Sequence, residues 1–103
     1  MKLRVINIEI QHFHGCPNSP ILIERVKEAI KTFDNIIYKE VLVDSNEKAE
    51  ESKFRGSPTL LINGEDFKNQ PEPENPALAC RYYPKGLPTV EQIKNKLNEF
   101  KFK

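Results

Sequence analysis

A chain of 103 residues, 38% hydrophobic and 30% charged, has material for one domain with a modest core, expected over residues 1–103, and none for a second. A net charge of +1 argues against a nucleic-acid partner, and no apolar run approaches the roughly 20 residues that cross a bilayer. The opening residues, Met1-Lys2-Leu3-Arg4, lead into an alternating pattern without a signal peptide's apolar stretch, so the expected location is cytoplasmic. The two cysteines, Cys16 and Cys80, make no disulfide framework, and in a reducing compartment such thiols are reactive, metal-binding or buried.

Leu3 to Gln11 alternates, with Ile6, Ile8 and Ile10 on one face and Leu3 and Val5 on the other, which predicts a central strand covered on both sides. The turn His12-Phe13-His14-Gly15-Cys16-Pro17-Asn18-Ser19-Pro20 follows. From Ile21 to Phe33 the apolar residues Leu22, Val26, Ala29, Ile30 and Phe33 recur at helical spacing. Ile36 to Val43 is rich in β-branched residues and ends at Asp44-Ser45-Asn46, a candidate cap for a short polar helix reaching about Phe54. Strand, helix, strand, helix is the opening of a parallel βαβ arrangement.

The second half changes character. Thr59-Leu60-Leu61-Ile62 reads as a short buried strand, and Asn63-Gly64 as a tight hairpin turn, so an antiparallel partner is expected from Glu65 to Lys68. Pro71, Pro73 and Pro76 with Glu72 and Glu74 form an extended acidic loop. Thr89-Val90-Glu91-Gln92 fits a capping box, and Val90, Ile93, Leu97 and Phe100 form the stripe of a last helix. No internal repeat is visible.

The chemistry concentrates at Cys16, where a strand ends and a helix begins. The unpaired N–H groups and partial positive charge of a helix N-terminus favour a thiolate, the nucleophilic form of sulfur. Pro17 suits the first helical position. Ser19 has a hydroxyl that can turn toward the sulfur. His14 and His12 could lend charge to the thiol or take its proton, or be polar residues at a strand end. A zinc site from His12, His14 and Cys16 lacks a structural spacing, and no resident metal or cofactor is expected. Cys80 has two readings. The positions from Gly64 to Cys80 are long enough at about 3.3 Å each to return to Cys16, and equally Cys80 could pack under the last helix. If the loop folds over the end of the sheet that carries Cys16, the two cysteines act as a pair.

The order βαβα then ββα, with Cys16-Pro17-Asn18-Ser19 after the first strand and Gly56-Ser57-Pro58-Thr59-Leu60-Leu61-Ile62-Asn63-Gly64 in the second half, resembles a small thioredoxin-fold protein over nearly the whole chain. The resemblance implies a thioredoxin-like fold, βαβα-ββα, with a mixed four-stranded sheet and helices on both faces. It also implies a cis bond before Pro58 beside the active cysteine, with the Ser57 backbone pairing with extended substrate. From the sequence alone, Pro58 could instead be a trans proline opening a strand. The usual second cysteine of Cys-x-x-Cys is replaced by Ser19. More narrowly, Gly15-Cys16-Pro17-Asn18 and Ala79-Cys80-Arg81-Tyr82 before Pro88-Thr89-Val90-Glu91-Gln92-Ile93 resemble a group often described as related to alkylmercury lyase. In the lyase two cysteines and a carboxylate cut the carbon–mercury bond, and Ser19 stands where that carboxylate would be.

The expected function is thiol-based redox chemistry, either thiol–disulfide exchange or deglutathionylation. Its substrates would be thiols or disulfides, glutathione among them. Cys16 is the nucleophile, Ser19 supports it, and Cys80 is a resolving thiol. Ser57, Pro58 and His14 meet the substrate. The alternatives are capture of mercury or copper(I) by the two thiols, and a non-catalytic interaction module. No membrane partner is expected, and the sequence gives no indication of oligomeric state.

Overall fold

In β1 (Ile6–His12) positions 6, 8 and 10 are isoleucines, all at most 1% exposed. Such a strand is stable only inside a sheet. The structure, a computed structural model, describes residues 5–100 and places β1 between two neighbours. It runs parallel to β2 (Ile36–Leu42) and antiparallel to β3 (Thr59–Ile62), and β3 carries the two-residue β4 (Glu65–Asp66) on its far side. With α1 (Asn18–Ile30), α2 (Asn46–Ser52) and α3 (Val90–Phe100), this is a mixed α/β fold: a four-stranded mixed sheet, order β2-β1-β3-β4, with three helices.

The main core lies on one face. Ile6, Ile8 and Ile10 with Leu60 and Ile62 pack against Leu22 and Val26 of α1 and Ile93 and Leu97 of α3. Each such side chain contributes about 1.5–3 kcal/mol by leaving water. A smaller cluster, Val43, Ala49 and Phe54 with Val41 and Leu78, holds α2 at the other end of the alternation in β2. Leu78 belongs to the loop that leads to Cys80, so this cluster fixes that loop as well.

Local signals set the boundaries. Pro17, with φ −65°, precedes the first residue of α1. The helix therefore starts three residues before the apolar stripe does, since proline's missing N–H costs nothing at a helix start. The Ser45 hydroxyl accepts the Lys48 N–H at 3.2 Å, and α2 ends at Lys53 in the left-handed region. Thr89 and Gln92 exchange both bonds of a capping box, at 3.0 and 3.1 Å. Asn63 and Gly64 take positive φ values of 51° and 81° and turn β3 into β4.

One expectation fails. The second face of β1 is not an apolar layer: Val5 is 55% exposed, and Leu3 lies outside the described residues. That face carries Asn7, Glu9 and Gln11, with Glu9 bonded to Lys39 at 3.3 Å and accepting from Gln11 Nε2 at 2.7 Å. The alternation Ile-Asn-Ile-Glu-Ile-Gln is that of a strand with one dry and one polar face. Among the described residues, no helix is long and apolar enough to cross a membrane.

Candidate functional site

Cys16 follows a sharp turn that Gly15 makes possible with φ 91°, and only Pro17 separates it from α1, its carbonyl accepting the Ser19 N–H at 3.2 Å. Cys80 meets it from the long loop after β4. The two form a disulfide, with α-carbons 5.7 Å apart across 64 positions of sequence. Of the two readings of Cys80, the returning chain is the one adopted.

The return is held by backbone pairing. Residues 79–81 lie alongside Ser57 in an isolated parallel bridge: the Ser57 N–H donates to the Ala79 carbonyl and the Arg81 N–H to the Ser57 carbonyl, each at 2.8 Å. The Ser57-Pro58 bond is cis. Gly56, at φ 104°, permits the close approach, since a Cβ there would lie 2.8 Å from Cβ of Arg81. The backbone groups of Ser57 that the resemblance assigns to an extended substrate are thus occupied by the chain's own strand.

Arg81 is the second anchor. Next to Cys80 in sequence, it reads as a stabiliser of a thiolate or an anionic ligand or, in preference, as a solvated surface charge, yet it is 7% exposed. Its guanidinium forms a fork on Asp66, Nη1 to Oδ1 at 2.6 Å and Nη2 to Oδ2 at 3.0 Å, and Nη1 reaches Thr59 Oγ1 at 3.3 Å. Asp66 Oδ2 also accepts the Lys68 and Gln70 N–H groups, both at 2.9 Å. Burial alone would raise the Asp66 carboxyl. The bonds from Arg81, Gln70 and Lys68 and the Arg81 charge outweigh it and hold Asp66 below the usual carboxylate range. Burial would likewise lower Arg81, and Asp66 holds it up. The Tyr83 hydroxyl donates to the Pro58 carbonyl, and its ring lies 4.8 Å from the Arg81 guanidinium. Burial pushes the Tyr83 phenol up to about 12, so it remains a donor at neutral pH.

The other expected site residues are distributed unevenly around the pair. Ser19 is buried, and its hydroxyl engages Ser57 Oγ at 2.9 Å. Ser57 Oγ in turn accepts the Phe13 N–H at 3.0 Å, so the two serines tie the Cys16 turn to the cis-proline loop. Pro58 opens the β3 segment behind them. His14 is exposed on the turn before Cys16, and His12 is half-buried at the end of β1, where its carbonyl accepts the Val43 N–H at 2.7 Å. Among the described residues no group of three or more His, Cys, Asp or Glu side chains is arranged to hold a metal ion. Asp66 was missed by sequence reasoning. A lone aspartate in the strand after a hairpin turn was the available signal, and it identifies no partner.

No family model and no curated protein matches the chain. Among solved structures it is similar to HBP35 of Porphyromonas gingivalis, with a TM-score of 0.60 and 16% identity, the match covering 96% of this chain and 33% of that one. The chain therefore spans about a third of that protein's length, and the likeness is one of fold.

Proposed function

We propose that the chain is a thioredoxin-like thiol–disulfide exchange protein whose working group is the Cys16–Cys80 pair. The observation that carries the reading is the joining of these two cysteines at the first strand-to-helix junction, with Cys80 bridged to the residue before a cis proline. In exchange the reduced pair gives two electrons to a substrate disulfide. One protein thiolate displaces a substrate thiol to form a mixed disulfide. The other then displaces the second substrate thiol and closes the protein disulfide. Glutathione and glutathionylated thiols are the small substrates of this class. In the cytoplasmic location expected from the sequence, the pair rests as two thiols.

The resemblance to alkylmercury lyase supports less. Ser19, at the position of the lyase's carboxylate, spends its hydroxyl on Ser57, so carbon–mercury cleavage forms no part of the proposal. The reduced pair is still a two-sulfur donor set suited to a soft, two-coordinate ion such as mercury or copper(I), and this is the second reading.

A coupled assay tests the first. Reduction of a glutathionylated peptide by glutathione, recycled by glutathione reductase, should be accelerated by the protein. Cys16→Ser and Cys80→Ser should each lower that acceleration at least about tenfold. Wild-type rates in both variants would leave an interaction module. A Cys80→Ser variant that keeps its rate would make Cys16 a monothiol site served by external thiols.

A further inference from the structure

The two sulfurs of the disulfide are not equivalent. Cys16 is 5% exposed, set between the N-terminus of α1 and the segment that covers it, whereas Cys80 is exposed. We propose that Cys80 is the sulfur through which this disulfide exchanges with outside thiols and that Cys16 is the leaving and resolving thiol. This rests on the exchange reading above and reverses the roles expected from the sequence.

Displacement at sulfur is in line: the incoming thiolate approaches the attacked sulfur from the side opposite the leaving one. Attack on Cys80 approaches an exposed residue, whereas attack on Cys16 approaches one that is 5% exposed. The edge along which an extended partner could reach Cys16 is filled, because both backbone groups of Ser57 are bonded to residues 79–81. The leaving group argues the same way. A thiolate that departs as Cys16 appears at the N-terminus of a 13-residue helix, whose partial positive charge stabilises it, and the better leaving thiolate leaves faster. Cys80 belongs to the loop between β4 and α3 and starts no helix of its own.

In the first step an external thiolate R–S⁻ attacks Cys80 Sγ. The R–S–Sγ bond forms, the bond between the two cysteines breaks, and the electron pair leaves on Cys16. A second external thiolate then attacks the R sulfur, releasing R–S–S–R and the Cys80 thiolate. Two external thiols are oxidised and one protein disulfide is reduced. In the oxidising direction the same intermediate forms by attack of the Cys80 thiolate on a substrate disulfide. Cys16 then displaces the substrate thiol from Cys80. Leu78 in the smaller apolar cluster and the fork of Arg81 on Asp66 stay in place throughout, so Cys80 remains within reach of Cys16.

The test is the regiochemistry of the mixed disulfide. Oxidised wild-type protein is mixed with glutathione, quenched with acid at short times and alkylated, and the two cysteine peptides are mapped by mass spectrometry. Glutathione on Cys80 and the alkyl group on Cys16 should exceed the opposite pattern at least about tenfold. The opposite excess, or an even split, overturns the proposal. Should the intermediate collapse before quenching, the single-cysteine variants decide. With glutathione disulfide the Cys80 thiol of Cys16→Ser should form its mixed disulfide at least about tenfold faster than the Cys16 thiol of Cys80→Ser, and similar rates or the reverse order overturn the assignment. The mapping reads any reducible disulfide, so it keeps its meaning even if the coupled assay shows no acceleration and the exchange function itself fails.

Discussion

Replacing Asp66 by alanine is expected to lower the stability of the oxidised protein by about 3–5 kcal/mol, the cost of leaving one half of a buried ion pair behind. The Arg81 guanidinium would lose both arms of its fork and keep only Thr59 Oγ1, and the Lys68 and Gln70 N–H groups would lose their acceptor. Both side chains are at most 4% exposed, which separates this pair from the surface bridges of the same chain, such as Lys31 with Glu28. The effect should depend on pH in a defined direction. The unfolded chain protonates Asp66 near the ordinary value of about 4, and the folded chain only at lower pH. The stabilisation is therefore complete above about pH 4 and is lost as pH falls through the folded value. Urea denaturation of wild type and Asp66→Ala should show a gap that is widest at neutral pH and narrows below about pH 4. A gap under about 1 kcal/mol at pH 7 would mean that the pair behaves as an exposed one.

Reducing the disulfide should lower stability by about 4 kcal/mol without changing the fold, because the bond closes a loop of 64 positions and acts mainly on the unfolded chain. The folded chain has other means of holding the segment: Leu78 in the apolar cluster, Arg81 on Asp66, and Tyr83 on the Pro58 carbonyl. Oxidised and reduced protein should thus give the same circular dichroism spectrum and different urea midpoints. The thermodynamic cycle makes the same quantity a redox property. A difference of about 4 kcal/mol corresponds to a disulfide about a thousandfold more favoured in the folded chain than in the unfolded one. Equal midpoints would mean that folding does nothing to bring the two sulfurs together.

The elements were legible because each has a local cause. The period-two pattern of β1, the Ser45 cap, the Asn63-Gly64 turn and the Thr89–Gln92 box act over a few residues, and all are present in the structure. The cis bond before Pro58, expected from the resemblance, is also present. What sequence could not resolve is set by distant partners. Arg81 reads as solvated until Asp66, 15 residues away, is brought under it. Ser19 reads as a partner for the sulfur until Ser57, 38 residues away, takes its hydroxyl. The polar second face of β1 follows from an apolar cover that reaches only the end of β2 and α2. The approach of Cys80 to Cys16 is one of two readings of the sequence, because chain length only permits the contact, and the pairing of residues 79–81 with Ser57, Leu78 in its cluster and Arg81 on Asp66 bring it about.

The most direct test of the central claim, that Cys16 and Cys80 form a reversible exchanging pair, is a redox titration of the native protein. It is equilibrated in glutathione buffers of graded ratio, quenched, and counted for free thiols by mass. The expected result is one two-electron transition between about −270 and −120 mV, the span of exchanging dithiols, with both thiols lost together within a single chain. A pair that stays oxidised down to below about −300 mV would be a structural bond, and a pair that gives only mixed or intermolecular disulfides would not be a redox pair. Either result contradicts the account.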